Sequence, residues 1–210
     1  MENQKENKLY PAYIGFDIST TCIGISVLTI EGKLVELKHL KLQTTNDVLP
    51  ENRYLIKGDI FKNFVLEYIE RLEEKYQLYV EKIFVEEPLI LSKNPNTASM
   101  LQRFNGVCCY ILATELNIIP ELISVYEARK LFCPEFVRVK KNKNGEIVEI
   151  FSPPKKTDIK KYILEKVDKR EKTINWVYNT KNNLDKVNYD MSDAYCVTFS
   201  GMKKNGIIKS

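Results

Sequence analysis

Two short apolar runs that end on a carboxylate constrain this chain more than any other feature. Ala12-Tyr13-Ile14-Gly15-Phe16 leads straight into Asp17, and Ile83-Phe84-Val85 leads into Glu86. Runs of this length, apolar between their ends, are the pattern of strands at the centre of a sheet. An acid at the end of such a run sits where a soluble protein has little reason to put a charge. A further acidic feature lies far along the sequence, in Tyr189-Asp190-Met191-Ser192-Asp193-Ala194. Asp190 and Asp193 are three apart, so on a helix they share one face. Converging carboxylates repel one another unless a cation lies between them, and an all-oxygen donor set selects a hard one, Mg²⁺ or Mn²⁺. The combination points to metal-assisted phosphodiester chemistry.

The segments between these acids define the fold. Ala12–Asp17 and Thr21–Thr29 are predicted as buried strands, and Glu31-Gly32-Lys33 turns the chain into a third, Leu34–Leu42. After a polar loop at Asn46–Asn52, the residues Ile60, Phe61, Phe64, Val65, Tyr68, Ile69 and Leu72 recur at threes and fours, the spacing of a helix with one apolar face. Lys82–Glu86 is a short strand. Pro88 and Pro95 bracket a loop, and Thr97 is expected to cap a helix running to about Leu116. Glu121–Val125 supplies a fifth strand and Tyr126–Phe132 a short helix. Val137–Val139 and Ile147–Ile150 flank Asn142-Lys143-Asn144-Gly145, whose Asn-Gly pair signals a hairpin. Pro153-Pro154 closes that excursion. Thr157 is expected to cap a helix with Ile159, Ile163, Leu164 and Val167 on its apolar side, and Met191–Lys203 forms the last helix. The expected fold class is α/β, a mixed five-stranded sheet flanked by helices with an inserted β-hairpin, in the segment order of the ribonuclease H-like fold. That order sets the first and fourth strands side by side and brings Asp17 next to Glu86. One domain spanning 1–210 is expected, with a frayed polar start at about 1–9 and the basic hairpin insertion at about 133–154.

Composition removes several classes of function. No apolar run approaches the roughly 20 residues that span a bilayer, and the polar first residues do not resemble a signal peptide. A cytoplasmic protein of a bacterial or phage-infected cell is expected, with no membrane partner. The five cysteines lack zinc-ligand spacing and read as small buried hydrophobes. A single histidine, His39, makes Ser-His-Asp or Cys-His hydrolysis a poor fit. The net charge of +4 is unevenly spread: Val137–Lys172 holds 12 Lys/Arg against 6 Asp/Glu, a local +6, leaving about −2 elsewhere. A basic segment beside an acidic catalytic region suits a polyanionic substrate.

With these residues in view, the chain resembles the RuvC-type Holliday junction resolvases. Gly15-Phe16-Asp17-Ile18-Ser19-Thr20-Thr21-Cys22-Ile23-Gly24 is similar to that family's first-strand signature, an Asp with a Gly seven residues on. Phe84-Val85-Glu86-Glu87 resembles its second acidic motif. Lys93-Asn94, Ala98, Leu101 and Gly106-Val107 match the helix that follows, and Asp190-Met191-Ser192-Asp193-Ala194 matches the closing Asp-x-x-Asp-Ala. The likeness covers roughly 12–132 and 154–200. Ser19 departs from it, standing where a glycine is usual, and so does Pro88-Leu89-Ile90-Leu91, where a junction-wedging aromatic is common.

The resemblance implies that Asp17, Glu86, Asp190 and Asp193 hold two Mg²⁺ or Mn²⁺ ions. It implies in-line hydrolysis of branched DNA, a four-way junction above all, leaving 5′-phosphate and 3′-hydroxyl ends. It further implies that Lys156, or its neighbour Lys155, neutralises charge on the scissile phosphate, and that a homodimer places two sites for paired cuts. Lys93, Asn94, Lys155 and Lys160, with Arg138, Lys140, Lys141 and Lys143 of the hairpin, are the expected DNA contacts. Glu87 competes with Glu86 for the metal, since adjacent strand residues face opposite ways. Glu127 and Arg129 are expected to pair on a helix surface, and Phe104, Tyr110 and Tyr126 to lie in the core. Three rivals stand beside this reading: another nuclease of the same fold cutting RNA–DNA hybrids, flaps or forks; an actin-like sugar kinase or ATPase, whose phosphate loop needs a glycine where Ser19 stands; and a binding module with a dead site.

Overall fold

The apolar runs pair as their patterns require. Strands β1 (Tyr10–Ile18), β2 (Cys22–Thr29) and β3 (Leu34–Lys41) form an antiparallel meander. Helix α1 (Arg53–Tyr76) returns the chain to the start of the sheet, where β4 (Leu78–Glu87) pairs in parallel with β1. Helix α2 (Pro95–Glu115) returns it again, and β5 (Glu121–Ser124) pairs in parallel with β4. The sheet order is β3-β2-β1-β4-β5, the expected mixed five-stranded sheet. Helix α3 (Val125–Phe132) leads to a separate two-stranded hairpin of β6 (Val137–Lys141) and β7 (Ile147–Phe151), and α4 (Ile159–Arg170) and α5 (Val187–Lys204) complete the chain. This computed structural model describes residues 8–44, 49, 52–88 and 95–209; Lys93, Asn94 and most of the loop after Pro88 lie outside the described residues. Among the described residues no helix is long and apolar enough to cross a membrane.

The sheet separates two cores, and strand alternation decides which residue enters which. Ala12, Ile14 and Phe16 of β1 and Ile83 and Val85 of β4 pack with α1 and α2, where Phe16 meets Phe61 edge-on at 5.6 Å. Tyr13 and Phe84 enter the opposite core with Ile123, Phe132, Ile163, Tyr195 and Phe199. Of the three aromatics expected in the core, only Phe104 is buried. Tyr110 is 70% exposed, and Tyr126 lies half out, accepting a hydrogen bond from the Phe151 amide at 2.7 Å.

Helix α5 is buried all round: every residue from Met191 to Met202 is inside. It can lie that close because glycines remove the side chains in its path. A Cβ on Gly24 would stand 2.0 Å from the Asp190 carbonyl, and one on Gly15 would stand 1.9 Å from Thr198 Oγ1. The Ser26 hydroxyl donates to the Ala194 carbonyl at 3.1 Å, fastening the same helix to β2.

Helix ends differ from the sequence expectation by one to four residues, because several polar residues in a row compete to cap. Asp158, not Thr157, caps α4 and accepts from the Lys161 amide at 3.2 Å. Helix α2 opens at Pro95, whose fixed φ suits a first turn, so Thr97 is already inside it. Helix α5 starts at Val187, which puts Asp190 in its first turn rather than at its cap. Glu127 pairs with Lys204 at 3.0 Å, not with Arg129.

Gly24→Ala should therefore cost on the order of 1–3 kcal/mol through forced overpacking. Gly106→Ala, an exposed helical position where a Cβ meets nothing within 4 Å, should gain about 0.5–1 kcal/mol. Urea melts of the two variants test the contrast; equal midpoints would contradict it.

Candidate active site

All four acids reach one end of the sheet, on the face that α5 covers. Asp17 follows Phe16 in β1 and pairs with Gly24 of β2, while Val85, just before Glu86, pairs with Phe16. Glu86 shares a strand face with Phe84, which packs in the α5 core, whereas Glu87 shares the face of Val85, which packs against α1 and α2. The Asn105 side-chain amide of α2 donates to the Glu86 carbonyl at 3.2 Å and pins this end of β4. Asp190 and Asp193 project from the first two turns of α5. Their height is set by the contact that Gly24 permits. Ser19, the departure from the family signature, closes the β1–β2 turn: its hydroxyl donates to the Cys22 carbonyl at 2.6 Å and accepts from the Cys22 amide at 3.0 Å.

Burial and mutual repulsion dominate the electrostatics. Burial raises Asp17 well above the usual carboxylate range, and Glu86, Asp193 and Asp190 push it further. Glu86 is raised to about 7, by burial first and then by Asp193, with Arg129 and Lys160 acting against the rise. Asp190 is raised by burial as well, opposed by the Cys22 thiol and by Lys160. Glu87 is not among the leading charges that act on the other acids.

Two cations act on this cluster, and neither was expected to face the acids. Lys160, expected as an ordinary DNA contact, sets its ammonium 3.0 Å from Oδ2 of Asp193, whose side chain is 5% exposed. Burial works against the charge on Lys160, yet Asp193, Asp17 and Asp190 carry its pKa up. Arg129, expected as a surface partner of Glu127, acts on Glu86 from α3, the helix that follows β5 beside β4. Lys156, expected at the phosphate, stands exposed in the turn before α4 with a left-handed φ of 74° and is not among the leading charges on the acids. Lys155 is exposed beside it. The spacing of Ala128 and Phe132 on the buried side of α3 was a usable signal for Arg129. Lys160 had none, because which lysine of α4 faces α5 depends on packing.

The four carboxylates, an all-oxygen donor set, suit a hard divalent ion by their chemistry. Their spacing is splayed. Among the described residues no three His, Cys, Asp or Glu side chains converge at ligand distance.

The hairpin carries Arg138, Lys140, Lys141 and Lys143 on exposed positions. Its base is fixed. Phe151 packs edge-on against Tyr126 and Phe136, Phe136 packs on Tyr162 of α4 at 4.6 Å, and Lys130 of α3 pairs with Glu149 at 2.9 Å.

No family model matches the chain, and no curated protein matches it. Two solved structures of Thermus thermophilus RuvC match it over nearly the full length of both chains. One, described as RuvC in complex with Holliday junction substrate, has a TM-score of 0.58 at 13% identity and covers 90% of this chain and 91% of that one. The other has a TM-score of 0.56 at 13% identity, covering 93% and 96%. At this identity the likeness is one of fold: the mixed sheet and its helices have the ribonuclease H-like arrangement of RuvC.

Proposed function

We propose that this chain is a divalent-metal-dependent endonuclease that cuts branched DNA, with the four-way junction as its substrate. The observation that carries the reading is the gathering of four acids from β1, β4 and α5 at one sheet end, where burial and mutual repulsion oppose the ionisation of Asp17, Glu86 and Asp190. The fold shared with a RuvC structure described with a Holliday junction supports the choice of substrate. A homodimer, needed for paired cuts on opposing strands, follows from the same reading.

Asp17, Glu86, Asp190 and Asp193 would hold the metal. Two bound ions would supply Lewis-acid activation of water and neutralise charge at the departing 3′ oxygen, leaving 5′-phosphate and 3′-hydroxyl ends. The chain's own residues prepare that chemistry. Asn105 and the β1–β4 pairing orient Glu86 and Asp17, and Gly24 sets the approach of Asp190. Lys160 holds Asp193 and lies close enough to the acids to meet the scissile phosphate, a role that suits it better than Lys156. Lys155, Lys156 and the hairpin cations Arg138, Lys140, Lys141 and Lys143 line the approach of the duplex arms, with Lys93 and Asn94 as further contacts.

Cleavage, variants and pH dependence test this reading. With Mg²⁺ or Mn²⁺, a four-way junction should receive paired symmetric nicks while a linear duplex and an RNA–DNA hybrid stay intact; cutting of the hybrid alone sinks the substrate choice. Asp17→Asn should abolish cleavage with junction binding retained, and Lys160→Ala should slow it by about a hundredfold or more, a larger loss than Lys156→Ala gives. The pH dependence follows from sign. Glu86 binds its proton more tightly in the folded state, so its share of stability is present at low pH and is lost as pH rises from about 4.5 to about 7. Without added metal, Glu86→Gln should raise the melting temperature more at about pH 8 than at about pH 5. In the parent, Mn²⁺ should raise it more at the higher pH. A metal-induced shift independent of pH would contradict the assignment.

A further inference from the structure

The chain between α4 and α5 is irregular, yet one part of it is tightly tied. Tyr178 and Leu184 form an isolated antiparallel bridge. On one side of the bridge the Asn179 amide donates to the Asn183 carbonyl at 2.8 Å, and on the other the Asp185 amide donates to the Val177 carbonyl at 2.9 Å. That pattern makes Tyr178 and Leu184 a non-hydrogen-bonded pair, the kind whose side chains stand closest and on one face. Asn179 closes the turn between them, its side-chain oxygen accepting from the Lys181 amide at 2.9 Å and the Asn183 amide at 3.0 Å.

The foot of this loop is fastened beside the acids. Asn188 of α5, fully buried, accepts from the Val177 amide at 2.9 Å and donates to the Val177 carbonyl at 2.7 Å and the Asp185 carbonyl at 2.9 Å. Asp190 follows two residues later in the same helix. Burial and Lys41 lower the pKa of His39 in β3, and Asp185 and Asp190 both act against them, so the foot of the loop and the candidate ligand lie near one side chain.

Held this firmly, the bridged pair still faces water. Tyr178 is 55% exposed and Leu184 45%, whereas Trp176 and Val177 pack inward with Cys22, Val187 and Met191. Ordering a loop costs backbone entropy, and folding gains little from an aromatic ring left in water. Lys181 and Lys186 at its edges are exposed and enter none of the ion pairs among the described residues. The acid between them, Asp185, accepts from the Val187 amide at 3.1 Å. An apolar plate edged by cations matches a flat apolar ligand with negative charge at its rim, which is what a base on a sugar-phosphate strand presents.

We propose that Tyr178, backed by Leu184, is a stacking plate for a nucleobase of the DNA strand beside the cut phosphate. The plate rests on the nuclease reading and adds to it a contact with a base rather than with phosphate. Every base has a π-face, so the plate takes an unstacked base, or the end of a duplex arm at a branch, without selecting sequence.

The test is binding of a fluorescent four-way junction to the full chain carrying Asp17→Asn, measured across about 50–300 mM salt. Adding Tyr178→Ala should weaken binding about tenfold at every salt concentration and leave the slope of log affinity against log salt unchanged, because stacking carries no charge. Tyr178→Phe keeps the ring and should bind as the parent does. A 2-aminopurine placed next to the mapped cut should lose fluorescence on binding the parent or Tyr178→Phe and keep it with Tyr178→Ala. A loss of affinity that Tyr178→Phe shares, or one with a flatter slope, overturns the plate. Mn²⁺ binding by calorimetry, read on the Asp17-intact chain, should be the same with and without Tyr178→Ala; a lost metal isotherm would mean that the loop supports Asp190 instead, and overturns the plate. A dimer in sedimentation that Tyr178→Ala turns into monomers marks the plate as a contact between copies and overturns it too. A parent that binds no junction at any salt removes the nuclease reading and the plate with it, whereas tight parent binding matched by Tyr178→Ala removes the plate alone.

Discussion

The seating of α5 against β1 and β2 is the contact on which the rest of the structure depends. A helix buried from Met191 to Met202 needs a floor without protruding side chains, and Gly15 and Gly24 provide it. Once the helix lies that low, Thr198 and Ala194 come within reach of Ser26, and the Asp190 carbonyl rests on the space left by Gly24. Two acids are thereby set at the height of the strand ends. The same approach lets Tyr195 and Phe199 meet Phe132, which fixes α3 and, with it, the direction of Arg129. The close approach of α5 thus organises core and site together.

That arrangement works against stability where the acids meet. Asp17, Glu86 and Asp190 are each raised by burial and by at least one neighbouring acid, so their ionised forms oppose folding. The fold partly offsets the cost with Lys160, half exposed and ion-paired to Asp193. Elsewhere the molecule follows ordinary rules: surface ion pairs such as Lys62 with Glu115 link helices, and the cysteines remain free, four of them buried. Local rules fail mainly at this one sheet end, as expected where a function requires something that folding does not.

Much of this was legible in the residues, for physical reasons. A strand's period of two is stiff, so one apolar run set the facing of Asp17, and Phe84 with Val85 separates Glu86 from Glu87. The five strands were readable for the same reason, whereas their order followed from the likeness of the segment order to the ribonuclease H-like fold. Caps were less so: Thr157 and Asp158 are adjacent and chemically alike, and only the entry angle of the chain chooses between them. The lysines of 155–161 posed the harder problem. Four lysines in seven residues are indistinguishable by composition, and the one that reaches Asp193 is selected by how α4 lies on α5.

The hairpin is tied to the helices beside the acids although its own strands form a separate sheet. A two-stranded ribbon alone is marginal in water, so this one must borrow order from its base. It does so through Phe151 against Tyr126 and Phe136, Phe136 against Tyr162, and Lys130 with Glu149. Those partners sit on α3 and α4, or on the short turn between α3 and the hairpin, and the two helices carry Arg129 and Lys160. Tyr162 lies two residues from Lys160 and donates to Glu135, which also holds Lys166 of the same helix. The base of the ribbon and the two cations beside the acids are therefore parts of one packed frame. A load on the exposed basic tip reaches that frame through aromatic contacts, which transmit displacement more faithfully than a flexible linker does.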